Sequence, residues 1–310
     1  MAKCQRSILL NILQGARTAV QLTVHDDAKS FLVATGALLR AAEAENSIIA
    51  TPAWRMATAP RDDDGDAYFA SVADGGTVVA AALYSRSSGG VLLTAGPEAA
   101  FGLIAADIAQ RGCQPGHLVG AKASCEAFTR NWGEHTGETH VLRFHLRHFE
   151  LTASPPSVTA RGSMRLPHPT EHGLIADWQI AFVEEVDMPN DHTRMRSMIA
   201  RRLDEGLIRV WDDGGMVAYA GYSEAGGTEG AGDTARIAPV YTPPHWRSRG
   251  YASALVAALS RELFDEGKRA LFITTDVANP TSNSIYQKIG YRAVADHFHF
   301  DLVSRLPDAT

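Results

Sequence analysis

The sequence predicts an α+β protein built from two similar units, each a twisted mixed, mostly antiparallel sheet flanked by helices. Three observations lead there. The chain has 310 residues, enough for about two domains at roughly 150 residues each. A Pro-Pro break lies near its middle. The elements on either side of that break recur in one order, around the same Asp-Gly-Gly turn.

Met1 to Arg6 and the apolar run Ser7–Leu13 resemble a very short signal peptide, but Asn11 interrupts the run and Gln14 ends it. An amphipathic helix or an N-terminal extension over residues 1–24 is the expectation. Ala28 to Ala44 carries Phe31, Leu32, Leu38 and Leu39 at helical spacing. Residues 67–85 read as a hairpin, because Asp74-Gly75-Gly76 supplies the positive φ angles of a tight turn. Val91–Thr94 reads as a strand, Ala99–Gln110 as a helix, and His140–Leu151 as a further strand.

Residues 151–165 form the expected linker, since Pro155-Pro156 forbids a helix and the flanking Ser, Thr and Gly have little to bury. The two domains then span 25–150 and 166–310. The second opens with helices at Leu174–Val186 and Met195–Leu207. Its hairpin, 206–224, turns at Asp213-Gly214-Gly215. There follow a strand at Ile237–Tyr241, a helix at Ala252–Glu266, a strand at Arg269–Asp276, a helix at Ser282–Lys288 and a last strand near His297–Leu302.

Hydrophobic residues make up 45% and charged residues 21%, which excludes wholesale disorder. The formal net charge is −6, so no global positive field exists to hold a polyanion, and nucleic acid is not an expected partner. No apolar run reaches the roughly 20 residues that span a bilayer, so no membrane partner is expected. Three cysteines, Cys4, Cys113 and Cys125, form no CxxC pair and no disulfide framework. That usage fits a cytoplasmic location.

The chemistry is written at 240–253, Val-Tyr-Thr-Pro-Pro-His-Trp-Arg-Ser-Arg-Gly-Tyr-Ala-Ser. A strand runs into a loop holding two arginines and a glycine, and a helix starts at once. Such a loop exposes backbone N–H groups at the positive end of a helix dipole, which makes an anion site. Gly250 permits close backbone approach and Ala252 keeps the first turn narrow. Arg247 and Arg249 are cationic donors suited to phosphate. The stretch is neither a P-loop nor GxGxxG.

Arg247, Gly250 and Ala252 form an Arg-x-x-Gly-x-Ala pattern that resembles the pyrophosphate loop of the Gcn5-related N-acetyltransferase (GNAT) superfamily. About thirty residues on, Asn279, Ser282, Tyr286, Gly290 and Tyr291 resemble that family's second signature, Asn-x-x-(Ser/Ala)-x-x-x-Tyr-x-x-x-Gly-(Phe/Tyr). The resemblance implies a sheet splayed at the strand carrying Val240, Tyr241 and Thr242. The pantetheine arm of acetyl-CoA would pair with Val240 and Thr242 there. The diphosphate would take N–H groups from Ser248, Arg249, Gly250, Tyr251, Ala252 and Ser253, beside Arg247. Asn279, with Asn283 on the same signature, would meet the cofactor arm, and Tyr286 would reach the sulfur. A phenol with a reference pKa of about 10 stays protonated at pH 7 and suits a general acid on the departing thiolate.

No general base is legible: Asp276, Tyr222, His245, Glu224 and a water chain are alternatives. The cysteines lie in the first half, away from both signatures, which disfavours a covalent cysteine route. Histidines 140, 145, 148, 297 and 299 lack an acidic or Cys partner at ligand spacing, so no metal is expected.

The first half lacks the signature. After Val91–Thr94 comes Ala95-Gly-Pro-Glu-Ala-Ala-Phe-Gly102, with no arginine and with Glu98 where a diphosphate would sit. A degenerate copy that completes the acceptor cleft is expected, as in tandem GNAT proteins of the mycothiol synthase type. The resemblance thus implies an N-acetyltransferase that moves an acetyl or short acyl group from acetyl-CoA to a primary amine, a small molecule or a lysine side chain, acting as a monomer or a homodimer. The competing class is a non-catalytic acyl-CoA-binding regulatory module on the same fold.

Overall fold

The computed structural model describes residues 20–188, 191–227 and 230–304. Ser7–Leu13 and Cys4 lie outside the described residues.

Each half runs through the same ten elements. The first comprises β1 (Gln21–His25), α1 (Ala28–Ala41), α2 (Glu43–Thr58), β2 (Tyr68–Asp74), β3 (Thr77–Ser85), β4 (Gly90–Leu93), α3 (Glu98–Gln110), β5 (His117–Gly120), α4 (Lys122–Thr136) and β6 (Glu138–Leu151). The second comprises β7 (Ser163–Arg165), α5 (His172–Glu185), α6 (His192–Asp204), β8 (Ile208–Asp212), β9 (Met216–Gly227), β10 (Gly230–Tyr241), α7 (Tyr251–Asp265), β11 (Ala270–Asp276), α8 (Pro280–Ile289) and β12 (Arg292–Ser304). Both Asp-Gly-Gly sequences are hairpin turns, and Gly75, Gly76, Gly214 and Gly215 all have positive φ.

Five elements depart from the sequence expectation, two of them β5 and α4, since no element was expected between residues 111 and 139. The helix expected over Ala28–Ala44 breaks at Ala42 and resumes as α2, which passes through Pro52 to Thr58. Burial of Ile49, Ala53 and Met56 holds that helix against the sheet despite the proline. Strand β1 begins inside the 1–24 segment and pairs antiparallel with β2. Strand β7 forms at the end of the linker and pairs with β8.

The two halves are not two separate sheets. All twelve strands form one mixed sheet in the order β1-β2-β3-β4-β5-β12-β6-β11-β10-β9-β8-β7. Only β4–β5 and β10–β11 are parallel. The last strand of each half crosses to the other: β6 pairs with β11, and β12 with β5, while β6 and β12 pair along almost their whole length. This exchange leaves neither half with an unpaired inner edge.

Helices α3, α4, α7 and α8 cover one face, where Phe101, Phe128, Leu255 and Tyr286 are buried. Helices α1, α2, α5 and α6 cover the other. Helix α2 belongs to the first half but packs on the second half's strands, with Ala44 buried against Ala270 and Phe272. Among the described residues, no helix is long and apolar enough to cross a membrane.

Candidate active site

The parallel pair β10–β11 is joined only from Thr234/Ala270 to Ile237/Ile273. Beyond that point the strands part. β10 continues against β9 as far as Tyr241, opposite Tyr219. β11 continues against β6 as far as Asp276, opposite Leu146. A bulge between Ile237 and Val240 bends β10 at the point of parting. The result is a V whose facing strand edges carry peptide groups with no partner across the gap.

A cavity of about 500 Å³ fills the V on the α7–α8 side. Its walls are Val240, Tyr241 and Thr242 from β10, the loop from Trp246 to Ser248, Gly250 to Ser253 at the head of α7, the end of α5 with Phe182, Glu185 and Val186, and Asn279, Thr281, Ser282, Ile285 and Tyr286 from α8.

The head of α7 is an uncapped helix start. Gly250 sits at its N-cap in the left-handed region, φ 82°, and no side chain caps it. Ala254 is the first residue of the helix whose N–H reaches back, to the Gly250 carbonyl at 2.9 Å. The N–H groups of Tyr251, Ala252 and Ser253 therefore have no intrahelical acceptor. They open on the cavity together with the positive end of the dipole.

Tyr286 is buried, with its ring edge-on to Phe149 and Tyr291 at 6.1 Å each. Burial pushes its hydroxyl up to about 12, with the Ser282 side chain pulling against that rise. Its phenol is held protonated across the neutral range.

The side chains of the loop are less free than the sequence implies. Arg247 donates to the Glu185 carboxylate at 2.6 Å and to the Thr242 carbonyl at 2.9 Å. The Glu185 carboxylate raises its pKa further. Arg249 does not line the cavity: its guanidinium stacks on Trp246, 4.9 Å from the ring centroid, and faces solvent. Asn279 caps α8, accepting the Ser282 N–H at 3.0 Å. Asn283 lies behind the wall; its amide donates to the carbonyls of Asp276 and Asn279 at 2.9 and 2.7 Å and ties the β11–α8 turn. Among the described residues, the buried Thr242 hydroxyl oxygen has no hydrogen-bond partner.

None of the four side chains offered as a base, Asp276, Tyr222, His245 and Glu224, is among the residues that line the cavity. Asp276 accepts the Ala278 N–H at 2.9 Å. Glu224 pairs with Lys268 at 2.6 Å. His245 is exposed and tilted against Trp246. Tyr222 is buried under Arg209, 6.0 Å from its ring, with its pKa raised mainly by burial. Of the cysteines described, burial pushes the Cys125 thiol far up, and its sulfur donates to the Phe298 carbonyl. Among the described residues, no group of three or more His, Cys, Asp or Glu is placed to hold a metal ion.

Phe182, Glu185 and Val186 have no signal in the sequence motifs; only the packing of α5 brings them to the cavity. Ser282 and Ile285 were legible in principle, since they stand one turn and one residue before Tyr286 on α8.

The first half offers no such V. From β4 to α3 the chain uses four residues, 94–97, against nine, 242–250, from β10 to α7. Where the strands would part, Gly120 lies so close to Leu93 that an added Cβ would stand 2.9 Å from the Leu93 Cβ. Glu98, at the head of α3, is paired with Arg130.

Fold and cavity together define a duplicated mixed-sheet protein splayed in its second half. Residues 172–291 match the model of the Acetyltransferase (GNAT) family. That stretch is similar to the family, and the whole chain has the fold of tandem GNAT structures. Similar solved structures include a GCN5-related N-acetyltransferase from Sphaerobacter thermophilus, 16% identical over 93% of this chain and 98% of its own, TM-score 0.59. A GNAT-family acetyltransferase from Colwellia psychrerythraea is 11% identical over 91% and 98%, TM-score 0.53. A tandem GNAT protein from the clavulanic acid biosynthesis pathway is 15% identical over 93% and 100%, TM-score 0.55. No curated protein matches the chain.

Proposed function

We propose that the chain is an acetyl-CoA-dependent N-acetyltransferase whose active site is the V between β10 and β11. The observation that carries this reading is the meeting of three features in one cavity: an unpaired strand edge at Val240–Thr242, the uncapped head of α7, and the buried phenol of Tyr286. The residues fit the cosubstrate. A pantetheine amide can pair with the open edge of β10, and the unpartnered Thr242 hydroxyl lies beside it. A diphosphate suits the N–H groups of Ser248 to Ser253, at a helix terminus that no side chain fills. Acetyl-CoA supplies the activated acyl carbon as a thioester.

The acceptor amine, once neutral, attacks that carbon, and the carbon–sulfur bond breaks. Tyr286 donates its proton to the departing sulfur, and backbone N–H groups at the open edge of β10 stabilise the charge on the carbonyl oxygen. The proton leaving the amine passes to water, since among the described residues the carboxylate on the cavity wall, Glu185, is held by Arg247. The acetyl or short acyl group passes directly to the amine, and the first half completes the acceptor side.

Calorimetry with acetyl-CoA on wild type and Gly250→Glu tests the seat. Wild type should bind and the variant should not; equal, tight binding by both would defeat the assignment. Release of free CoA thiol in the presence of amines then separates a transferase from an acyl-CoA-binding module.

A further inference from the structure

Arg143 is the extra residue of a bulge in β6. Phe144 stands opposite His299 and Leu142 opposite Phe300, so Arg143 has no residue across from it in β12. A bulge re-aims a side chain. Here the guanidinium reaches from the first half to the end of α5 in the second. It donates to the Asp187 carboxylate at 3.1 Å and also to the Asp187 carbonyl. Its other terminal nitrogen donates to the Asp301 carboxylate of β12 at 2.9 Å, which anchors it on the sheet. Asp187 directly follows Val186, and Phe182, Glu185 and Val186 are the α5 wall of the cavity.

Asp187 closes α5 in a conformation that suits glycine. Its N–H reaches the Glu184 carbonyl at 3.0 Å, and the Met188 N–H reaches the Val183 carbonyl at 3.0 Å. That pair of bonds puts Asp187 in the left-handed region, φ 52°. Helices α3, α6, α7 and α8 end on the same two bonds, with Gly112, Gly206, Gly267 and Gly290 in that place. Among the described residues, only Asp187 and Ser248 are left-handed without being glycine, and Ser248 lines the same cavity. Strain of this kind persists where the surroundings hold it. At Asp187 the holding group is a guanidinium of the other half. The Asp187 carboxylate is exposed, so the ion pair adds little to global stability. What the contact fixes is where α5 ends.

We propose that Arg143 is a positioning residue for the acyl-transfer site: from the first half it holds the end of α5 through Asp187, and so sets in advance the wall that acetyl-CoA meets in the second. This rests on the transferase reading and gives the half without a cavity a definite part in it. A wall fixed before binding spares the cosubstrate the cost of ordering Phe182, Glu185 and Val186. The side of the V that carries Tyr286 stands on α8 and does not depend on the tie.

The test uses the full chain, with acetyl-CoA titrated by calorimetry and thermal melts run beside it. Arg143→Gln should raise the Kd about tenfold, the cost of ordering the wall on binding, and Arg143→Lys should recover part of the loss. Asp187→Gly separates positioning from stability. Glycine relieves the left-handed backbone, so the melting temperature should hold or rise, while the Kd should still climb several-fold because the carboxylate that Arg143 grips is gone. An unchanged Kd in Asp187→Gly overturns the proposal, as does a loss of affinity that comes with an equal fall in stability. Asp187→Gly decides even if Arg143→Gln does not fold. If wild type fails to bind acetyl-CoA, the transferase reading falls instead. Hydrogen exchange at the amides of Val186, Asp187 and Met188 then decides the tie: Arg143→Gln should speed it about tenfold, and exchange as slow as in wild type overturns it.

Discussion

Phe149, in the last strand of the first half, packs edge-on against Tyr286 of the second, with ring centroids 6.1 Å apart and planes at 64°. The wall of the candidate site belongs to the second copy and is backed there by a residue of the first. Phe149 is fully buried, and it fixes the phenol through a strand that belongs to the half without a cavity. Replacing it by alanine should cost about 3–5 kcal/mol of stability, read by urea denaturation. Phe149→Leu should fold, keep acetyl-CoA affinity and lower kcat, because only the ring orientation is loosened.

The exchange of β6 and β12 predicts that the second half cannot stand alone. A fragment of residues 152–310 lacks β6, so β11 and β12 lose the strand that joins them and expose two long edges. It should show no cooperative melt and should aggregate. A sharp thermal transition with native near-ultraviolet dichroism would count against this.

Gly250 has φ 82°, and a Cβ placed there would meet only Ala160 at 3.9 Å. Gly250→Ala therefore pays for backbone conformation, about 1–2 kcal/mol, and not for a clash. It should weaken acetyl-CoA roughly tenfold, whereas Gly250→Glu should abolish binding in the same titration.

Glu185 sets a negative charge on the cavity wall and ties up Arg247. Both side chains are nearly half exposed, so the pair adds little stability. Glu185→Gln should leave the melting temperature nearly unchanged and tighten acetyl-CoA several-fold at low ionic strength. The gain should fade as salt screens the diphosphate.

Tyr286 has a hydroxyl pKa near 12 in the folded chain against the ordinary 10. The raised value means that its contribution to stability is whole below pH 10 and is lost as pH climbs from about 10 to about 12. Alkaline unfolding should begin in that window, and Tyr286→Phe should shift it upward. The same variant should lose most turnover while binding acetyl-CoA as wild type does. A rate unchanged by the substitution would remove the acid role.

The duplication, the hairpin turns and the strand-to-helix junctions at 240–253 and 276–291 were legible because each depends on local spacing. Apolar residues every three or four positions mark a helix, and Asp-Gly-Gly marks a turn that only glycine fits comfortably. Tyr286 was singled out by the resemblance of its signature to the GNAT family, and the first copy's lack of a basic loop, with Glu98 in its place, was legible from local sequence. Helix α2 was hidden by Pro52, and β1 and β7 are too short to announce themselves. Their stability comes from partners far away in the chain.

Long-range pairing decided the rest. Nothing in the spacing of His140–Leu151 says that this strand crosses to the other half, since an edge of hydrogen-bonding groups accepts any strand of suitable register. Nor does the motif around Arg247 reveal that Glu185 already holds that guanidinium. By itself the sequence determined most of the helices, strands and tight turns, because those are contests between neighbouring residues. The tertiary structure alone decided how the strands of the two halves pair and which charges are neutralised, because that depends on groups brought together from distant parts of the chain.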